Sequence, residues 1–208
     1  MDSGRELAID TITQRILENN GFVDALGFTG GEPTLQSESI LTLCEWAKEQ
    51  GLETFLNTNG SNPKLINDLS NRDLLDYVAL DVKAPLRSEA YSSMIGLKSG
   101  IEAIVTSVKE VINLCNNAGL PLETRTTIIP TLIDDEASIR EIAQSVKSSS
   151  IYVLQEFFPF DEVFDENLRQ LKPPERDNLI RLAKCAFEEG VKEVYIRTRQ
   201  NGLEKVYY

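Results

Sequence analysis

The run Gly30-Gly31-Glu32-Pro33 could bind a ligand. It places two glycines before a carboxylate and a proline. Residues without a Cβ allow a ligand to approach the backbone, and proline restricts the loop that follows. A fixed carboxylate beside exposed backbone N–H and C=O groups suits an ammonium ligand. The run is also compatible with an ordinary strand-to-helix turn, in which Glu32 interacts favourably with the helix dipole.

Asp81 and Lys83 are two residues apart within a mostly apolar segment. Side chains at i and i+2 of a strand point to the same face, so both would face one interior or cleft. Because buried ionised groups are costly unless they are paired, the two residues are either a mutual structural pair or a clamp for a ligand. Arg125 lies in a β-branched run where a charge is unusual, and it is a further candidate for ligand contact.

Charge and the absence of histidine exclude several classes of function. The 208 residues include 21 Lys and Arg against 33 Asp and Glu, and the net charge of −12 argues against a sequence-independent nucleic-acid binder. Without histidine, Ser-His-Asp and Cys-His nucleophile systems and His-containing zinc sites are excluded.

The three cysteines, Cys44, Cys115 and Cys185, are too far apart in sequence for a metal knuckle or a redox motif. A disulfide scaffold is excluded, and we expect all three to be small packing residues. No apolar run approaches the length of a membrane span, and the N-terminal residues do not resemble a signal peptide. We therefore expect a cytoplasmic protein with no membrane partner.

The elements that must position these residues are short β-branched segments alternating with helical patterns. This alternation predicts an α/β fold with right-handed crossovers and a mostly parallel sheet. The predicted strands are Asp24–Thr29, Glu53–Thr58, Tyr77–Lys83, Glu123–Ile129, Ile151–Phe157 and Lys192–Thr198. The clearest helical stripe covers residues 101–118. We interpret residues 1–208 as a single domain.

Helix ends are marked by residues with known capping preferences. Glycines that would close helices are Gly21, Gly51, Gly119 and Gly190. Asn62-Pro63 predicts an N-cap followed by the first helical position, Asp134 is predicted to cap a helix through Val146, and Pro173-Pro174 is predicted to open the last long helix.

Polar residues and glycines are concentrated at the carboxyl ends of the predicted strands, where the βα loops of a parallel fold gather. These ends are Thr29–Pro33, Asn57–Gly60, Asp81–Lys83, Arg125–Thr127 and Gln155-Glu156. The concentration predicts one polar ligand pocket on one face of the sheet. Asn59-Gly60 is also a common turn former, so its presence there does not by itself indicate a site.

Five motifs occur in order along the chain: TGGEPTLQ at 29–36, LNTNG at 56–60, YVALDVKAPL at 77–86, RTTIIP at 125–130 and YVLQEFFP at 152–159. Together they resemble radical S-adenosylmethionine enzymes of the glycyl-radical-activase type, a family that includes the activating proteins of anaerobic ribonucleotide reductase and pyruvate formate-lyase. The resemblance runs from about Leu7 to Arg197. It implies a partial (β/α)6 barrel of TIM-like type that binds S-adenosylmethionine across its strand tips.

The resemblance also implies roles for individual residues. Gly30, Gly31 and Glu32 would receive the methionine ammonium, and Pro33 would shape the turn. Lys83 would reach the methionine carboxylate, with Asp81 beside it and Arg125 assisting. The remaining residues expected to contact the cofactor are Asn57, Asn59, Thr127 and Gln155.

Asn57 departs from the family pattern, because activases similar to that of pyruvate formate-lyase have Asp at this place. An amide can accept through its carbonyl but supplies no charge. The expected ammonium contact and any cation site built from Asn57, Thr58 and Asp81 are therefore weakened.

A second departure concerns the iron–sulfur cluster. In the family, a Cys-x-x-x-Cys-x-x-Cys loop holds a 4Fe-4S cluster, which receives an electron from a donor and cleaves S-adenosylmethionine so that a glycyl radical forms on a partner enzyme. This chain has no such loop, and a helix pattern at Arg5–Asn19 precedes its first predicted strand. We expect the first strand and the cluster loop to be missing from an N-terminally incomplete chain that is inactive alone.

Two alternatives remain open at this point. One is a natural cluster-free barrel that acts as a binding or regulatory module. The other is an unrelated α/β enzyme that uses Glu32, Asp81 and Lys83 as acid–base groups.

Overall fold

The computed structural model describes residues 7–19, 21–159, 163 and 165–207. Its strands are β1 Ala25–Phe28, β2 Glu53–Thr58, β3 Tyr77–Asp81, β4 Leu122–Ile128, β5 Ile151–Glu156, β6 Val194–Thr198 and β7 Gly202–Lys205. Its α-helices are α1 Ile9–Leu17, α2 Ser37–Glu49, α3 Pro63–Asn71, α4 Ser88–Ile95, α5 Ile101–Ala118, α6 Glu136–Val146, α7 Glu166–Arg169 and α8 Arg176–Glu188. A short 3₁₀ helix spans Pro33–Gln36.

The strands form one sheet in which neighbours in sequence are neighbours in space. Each of the first five strands pairs in parallel with the next, and β7 pairs antiparallel with β6. Helices connect the parallel strands, so the sheet curls into a partial, TIM-like barrel. The predicted α/β fold class is confirmed.

Side chains alternate between the two faces of the sheet, as the strand geometry requires. One residue near the middle or end of each of four strands is fully buried against the helices: Leu56, Leu80, Ile128 and Leu154. The residues beside them in sequence point to the concave face. This alternation puts Asn57, Asp81 and Arg125 on the concave face.

Several helix ends follow from capping chemistry. Asn62 is the N-cap of α3, where its side chain accepts a hydrogen bond from the Leu65 N–H, and Pro63 takes the first helical position. Gly119 ends α5 in the left-handed conformation with φ +66°. The predicted stripe of α5 is buried at Val105, Val108 and Ile112.

Two predicted helix starts differ from the structure. The cap of α6 is Asp135, which accepts from the Ser138 N–H, because Asp134 instead accepts from the Thr131 N–H in the preceding turn. The helix α8 begins at Arg176 rather than at the Pro-Pro pair, since Glu175 is still extended.

The predicted N-terminal helix is shorter in the structure. The pattern at Arg5–Asn19 yields a helix over Ile9–Leu17, and residues 5 and 6 lie outside the described residues. Strand β7 was not predicted from the sequence.

The outer edge of β1 is a candidate for association between molecules. Among the described residues, β1 pairs only with β2, and Phe22 just before it is 93% exposed. The apolar residues of the nearby α1 are at most half-buried. An unpaired parallel edge beside apolar side chains favours edge-to-edge pairing.

We therefore expect concentration-dependent self-association of the 208-residue chain in light scattering. The exposed Ala25 on β1 offers a matched test, because Ala25→Lys places a charge on the edge and should shift the population towards monomer. A monodisperse monomer at all concentrations for the unmodified chain would contradict the expectation.

Candidate functional site

The carboxyl ends of β1, β2 and β3 enclose a cavity of about 160 Å³. Its lining residues are Gly30, Gly31, Asn57, Thr58, Asn59, Asp81 and Lys83. Six of these were predicted from the sequence as site residues, and the structure brings them together at the carboxyl ends of the strands. Thr58 was named only as part of a possible cation site, although its place between two predicted residues could have indicated a contact with the ligand.

The glycine turn gives the cavity an open backbone wall. Gly30 has φ +105°, a conformation that strongly favours glycine, and a Cβ built at Gly30 or Gly31 would meet no atom within 4 Å. Both residues are exposed. A ligand can therefore reach the peptide groups of this turn without displacing protein atoms.

Glu32 holds the turn to the loop after β2. Its Oε1 accepts hydrogen bonds from the Thr34 N–H at 3.2 Å, the Thr34 hydroxyl at 2.6 Å and the Thr58 hydroxyl at 2.8 Å. Its Oε2 accepts from the Asn59 N–H at 2.7 Å. Glu32 is also the N-cap of the 3₁₀ helix that begins at Pro33, so its carboxylate connects two loops that line the cavity.

Asp81 and Lys83 form an ion pair that remains open to solvent. Lys83 Nζ lies 3.2 Å from Asp81 Oδ2, and the two side chains are 45% and 38% exposed. An ion pair at this exposure contributes little to stability, so a purely structural role explains it poorly. A pair of opposite charges facing a cavity is suited to a ligand that carries both an ammonium and a carboxylate group.

Tyr91 on α4 fixes the backbone at Lys83. The Lys83 N–H donates to the Tyr91 hydroxyl at 3.2 Å, and Tyr91 is 2% exposed. Burial raises the pKa of Tyr91 to about 12, so the hydroxyl is neutral at physiological pH.

Tyr91→Phe is expected to lower the free energy of unfolding by about 1 kcal/mol, because the Lys83 N–H loses its acceptor. Denaturant titration measures the change, and amide hydrogen exchange should be faster at Lys83. Tyr207→Phe is the control, since Tyr207 is 79% exposed. Equal unfolding free energies for Tyr91→Phe and the unmodified chain would disprove this role.

A polar network lies on the concave face beside the cavity. Arg125 donates from Nε to Glu123 and from Nη1 to Asn57 Oδ1, the latter at 3.0 Å. Asn57 Nδ2 in turn donates to Thr29 Oγ1 at 3.2 Å, and the Tyr77 hydroxyl donates to Glu123 Oε2 at 2.7 Å. Burial, followed by the hydrogen bond to Glu123, raises the pKa of Tyr77.

Glu123 is a functional candidate that the sequence reasoning missed. Its side chain is 7% exposed and contacts two arginines, with Arg197 Nη2 at 3.7 Å from its Oε1. The i, i+2 spacing of Glu123 and Arg125 in one strand was a signal, because it places both side chains on the same face.

Thr127 and Gln155 line a different cavity, of about 390 Å³, at the ends of β4 to β6. Gln155 Oε1 accepts from Arg197 Nη1 at 3.1 Å, and the Arg199 guanidinium lies 4.2 Å from the centre of the Phe158 ring. The structure does not bring these two predicted residues into the cavity of the glycine turn. Glu32, Pro33 and Arg125 line neither cavity.

The cysteines do not suit an iron–sulfur cluster. Cys44, Cys115 and Cys185 lie on α2, α5 and α8 and are buried, as predicted for packing residues. Burial raises the pKa of Cys44 to about 12 and the pKa of Cys115 to about 12, so both are thiols rather than the thiolates that iron requires. No cluster of acidic or cysteine ligands in the described ranges is arranged to hold a metal ion.

None of the helices in the part of the chain that the structure describes has the length and apolar content needed to cross a bilayer.

Comparisons of this chain with a family model and with known proteins agree on one family. The model of the radical SAM superfamily matches residues 2–144. The chain is 36% identical over 183 residues to a putative glycyl-radical enzyme activating enzyme of Methanocaldococcus jannaschii, covering 88% of this chain and 74% of that protein. It is 25% identical over 202 residues to the pyruvate formate-lyase-activating enzyme of Clostridium pasteurianum, covering 90% and 81%.

Solved structures share the fold. A domain of a pyruvate-formate lyase-activating enzyme from Bacteroides vulgatus matches with a TM-score of 0.63 and 17% identity, over 84% of this chain and 99% of that one. A radical SAM methyltransferase from Sphaerobacter thermophilus matches with a TM-score of 0.70 and 16% identity, over 93% and 58%. At these identities the likeness concerns the fold alone.

Proposed function

This chain belongs to the radical SAM superfamily, and from that premise we propose that its strand-end cavity binds the amino-acid end of S-adenosylmethionine. We propose further that the protein serves the activation of a glycyl-radical enzyme. The observation that carries the first proposal is the solvent-open Asp81–Lys83 pair beside the exposed glycine turn. Membership of this family excludes the alternative of an unrelated α/β enzyme.

The cavity has a set of groups that fits a zwitterion. The Lys83 ammonium suits the methionine carboxylate, and the Asp81 carboxylate suits the methionine ammonium. Gly30 and Gly31 add an unobstructed backbone that can donate and accept hydrogen bonds. Glu32 holds this wall in place through its bonds to Thr34, Thr58 and Asn59.

In this family, S-adenosylmethionine binds beside a reduced 4Fe-4S cluster. It would then supply the group that abstracts a hydrogen atom. The three buried cysteines of this chain do not fit such a cluster, so we derive no step through it. A protein partner is supported by relatives whose names describe activating enzymes, one of a glycyl-radical enzyme, one of pyruvate formate-lyase and one of a sulfolyase. The identity of that partner and of an electron donor, a cytoplasmic location and a single domain stay predictions.

Isothermal titration calorimetry of the 208-residue chain with S-adenosylmethionine tests the binding proposal. Saturable 1:1 binding that free methionine competes for supports a site for the amino-acid end. Adenosine should compete poorly at the cavity of the glycine turn, because it lacks both charged groups. The absence of measurable heat and of competition would overturn the proposal.

A cluster-free binding or regulatory module is a second candidate, favoured by the burial of all three cysteines. A pull-down with a candidate glycyl-radical enzyme separates the two, and it is combined with anaerobic incubation with iron, sulfide and a reductant followed by an assay for 5′-deoxyadenosine. S-adenosylmethionine binding without product, together with capture of a glycyl-radical enzyme in a pull-down, supports the module. Robust 5′-deoxyadenosine formation would exclude it and also contradict the expectation that this chain is inactive alone.

A further inference from the structure

We infer that Asn57 is a second donor for the carboxylate end of the ligand, and that Arg125 is the positioning residue that turns the Asn57 amide towards this task. The inference rests on the proposed binding of S-adenosylmethionine. The family pattern predicts that the residue at the end of β2 contacts the ammonium of the ligand, whereas this inference assigns Asn57 to the carboxylate.

The orientation of the amide follows from the chemistry of its neighbour. Arginine has donors and no acceptor, so the Asn57 atom at 3.0 Å from Arg125 Nη1 must be the carbonyl oxygen. The amide nitrogen then faces Thr29 Oγ1, at 3.2 Å. A flipped amide would place two donors against each other and is therefore excluded.

Arg125 is itself held in place by a buried partner. Its side chain is 10% exposed, the side chain of Glu123 is 7% exposed, and Nε of Arg125 donates to the Glu123 carboxylate. The Tyr77 hydroxyl fixes the other oxygen of Glu123 at 2.7 Å. A charge-assisted bond at this burial keeps the guanidinium in one place and so keeps Nη1 directed at Asn57.

The sheet register provides room for this bond. Asn57 on β2 is level with Ala79 on β3, and Ala79 is level with Glu123 on β4. Arg125 thus reaches across a strand whose side chain at this level is a buried alanine. Strands two apart are separated by about 9–10 Å, which the length of an arginine side chain can bridge.

The cavity therefore presents a nitrogen at position 57. Asn57 lines the cavity, and its oxygen is engaged by Arg125, which does not line it. The second N–H of the amide has no bond within the described residues and is available to an acceptor. Together with Lys83 Nζ this gives two donors for a carboxylate, while Asp81 supplies the negative charge for the ammonium.

The test compares S-adenosylmethionine with its decarboxylated analogue in calorimetric titrations of Asn57 variants. Asn57→Ala and Asn57→Asp are expected to lower the affinity for S-adenosylmethionine by about tenfold or more, since one donor to a charged group is lost. Affinity for the decarboxylated analogue should change less than about threefold. Asn67→Asp, on the exposed face of α3, is the matched control and should change neither.

Arg125→Lys tests the positioning role. Lysine keeps a charge for Glu123 but lacks the fork that contacts two partners, so the amide is released. The ratio of the affinity for S-adenosylmethionine to the affinity for the decarboxylated analogue should fall towards the ratio measured for Asn57→Ala. Asn57→Asp can still accept from Arg125, so its melting temperature should not be lowered while its affinity for S-adenosylmethionine falls.

Each result decides between the possibilities. Equal losses for both ligands, or unchanged binding of S-adenosylmethionine, would overturn the inference while leaving the proposed function intact. Failure of the unmodified chain to bind either ligand would overturn the proposed function and this inference with it.

Discussion

Glu32→Gln is expected to lower the free energy of unfolding by about 1–3 kcal/mol and to weaken S-adenosylmethionine binding. The carboxylate accepts from two backbone N–H groups and two hydroxyls. Glutamine replaces one acceptor oxygen by an NH₂ group, so either the Thr34 N–H or the Asn59 N–H faces a donor and is left without a partner. The loop after β2 then separates from the glycine turn.

Denaturant titration and calorimetry measure the two effects of Glu32→Gln. Glu53→Gln is the matched control, because Glu53 is exposed and is the first residue of β2, at the end of the strand away from the cavity. An unfolding free energy equal to that of the unmodified chain would show that the four hydrogen bonds do not hold the loops together. Loss of binding at full stability would instead favour direct contact of Glu32 with the ligand.

Among the variants at the cavity, Lys83→Met should cause the largest loss of affinity for S-adenosylmethionine and the smallest change in the free energy of unfolding. Methionine retains the apolar stem of the side chain and removes the charge. Loss of a charge-assisted bond to the ligand carboxylate costs about 1.5–3 kcal/mol, which corresponds to about ten- to a hundredfold in affinity. The bond from Lys83 Nζ to Asp81 is exposed to solvent, so its loss should hardly alter the unfolding free energy.

Lys147→Met is the control for the Lys83 variant. Lys147 directly follows α6, whose C-terminal end lies at the edge of the sheet where β5 begins, opposite the cavity. Both variants should unfold like the unmodified chain, and only Lys83→Met should lose affinity in calorimetry. Unchanged affinity after Lys83→Met would remove the proposed carboxylate contact.

Much of the fold was predictable because the sheet is parallel and buried by helices. Its parallel strands have four to seven residues, with polar residues at or just after their carboxyl ends. The prediction placed β2 with the bounds that the structure has. The spacing of Asp81 and Lys83 predicted that their side chains lie together, and they form an ion pair although β3 ends at Asp81 and not at Lys83. Asn62-Pro63 marked the start of α3, since both residues have local preferences that do not depend on tertiary contacts.

The errors arise where tertiary contacts decide. Strand β7 has four residues, two of them charged, and owes its conformation to pairing with β6. Asp134 and Asp135 are equivalent as local caps, and the turn at Thr131 selects the second. The bonds of Glu32 to residues 26 and 27 positions away in sequence had no local signal.

The hairpin formed by β6 and β7 has a practical consequence for assays. Because β7 runs antiparallel to the other strands, Gly202 is beside Thr198, which lines the cavity of about 390 Å³. Lys205 is beside Tyr195 near the start of β6. The Val206 N–H bonds to the carbonyl of Val194. The described chain therefore reaches Val206 at the rim opposite the cavities, and protein immobilised through this part of the chain should keep its ligand face open to solution.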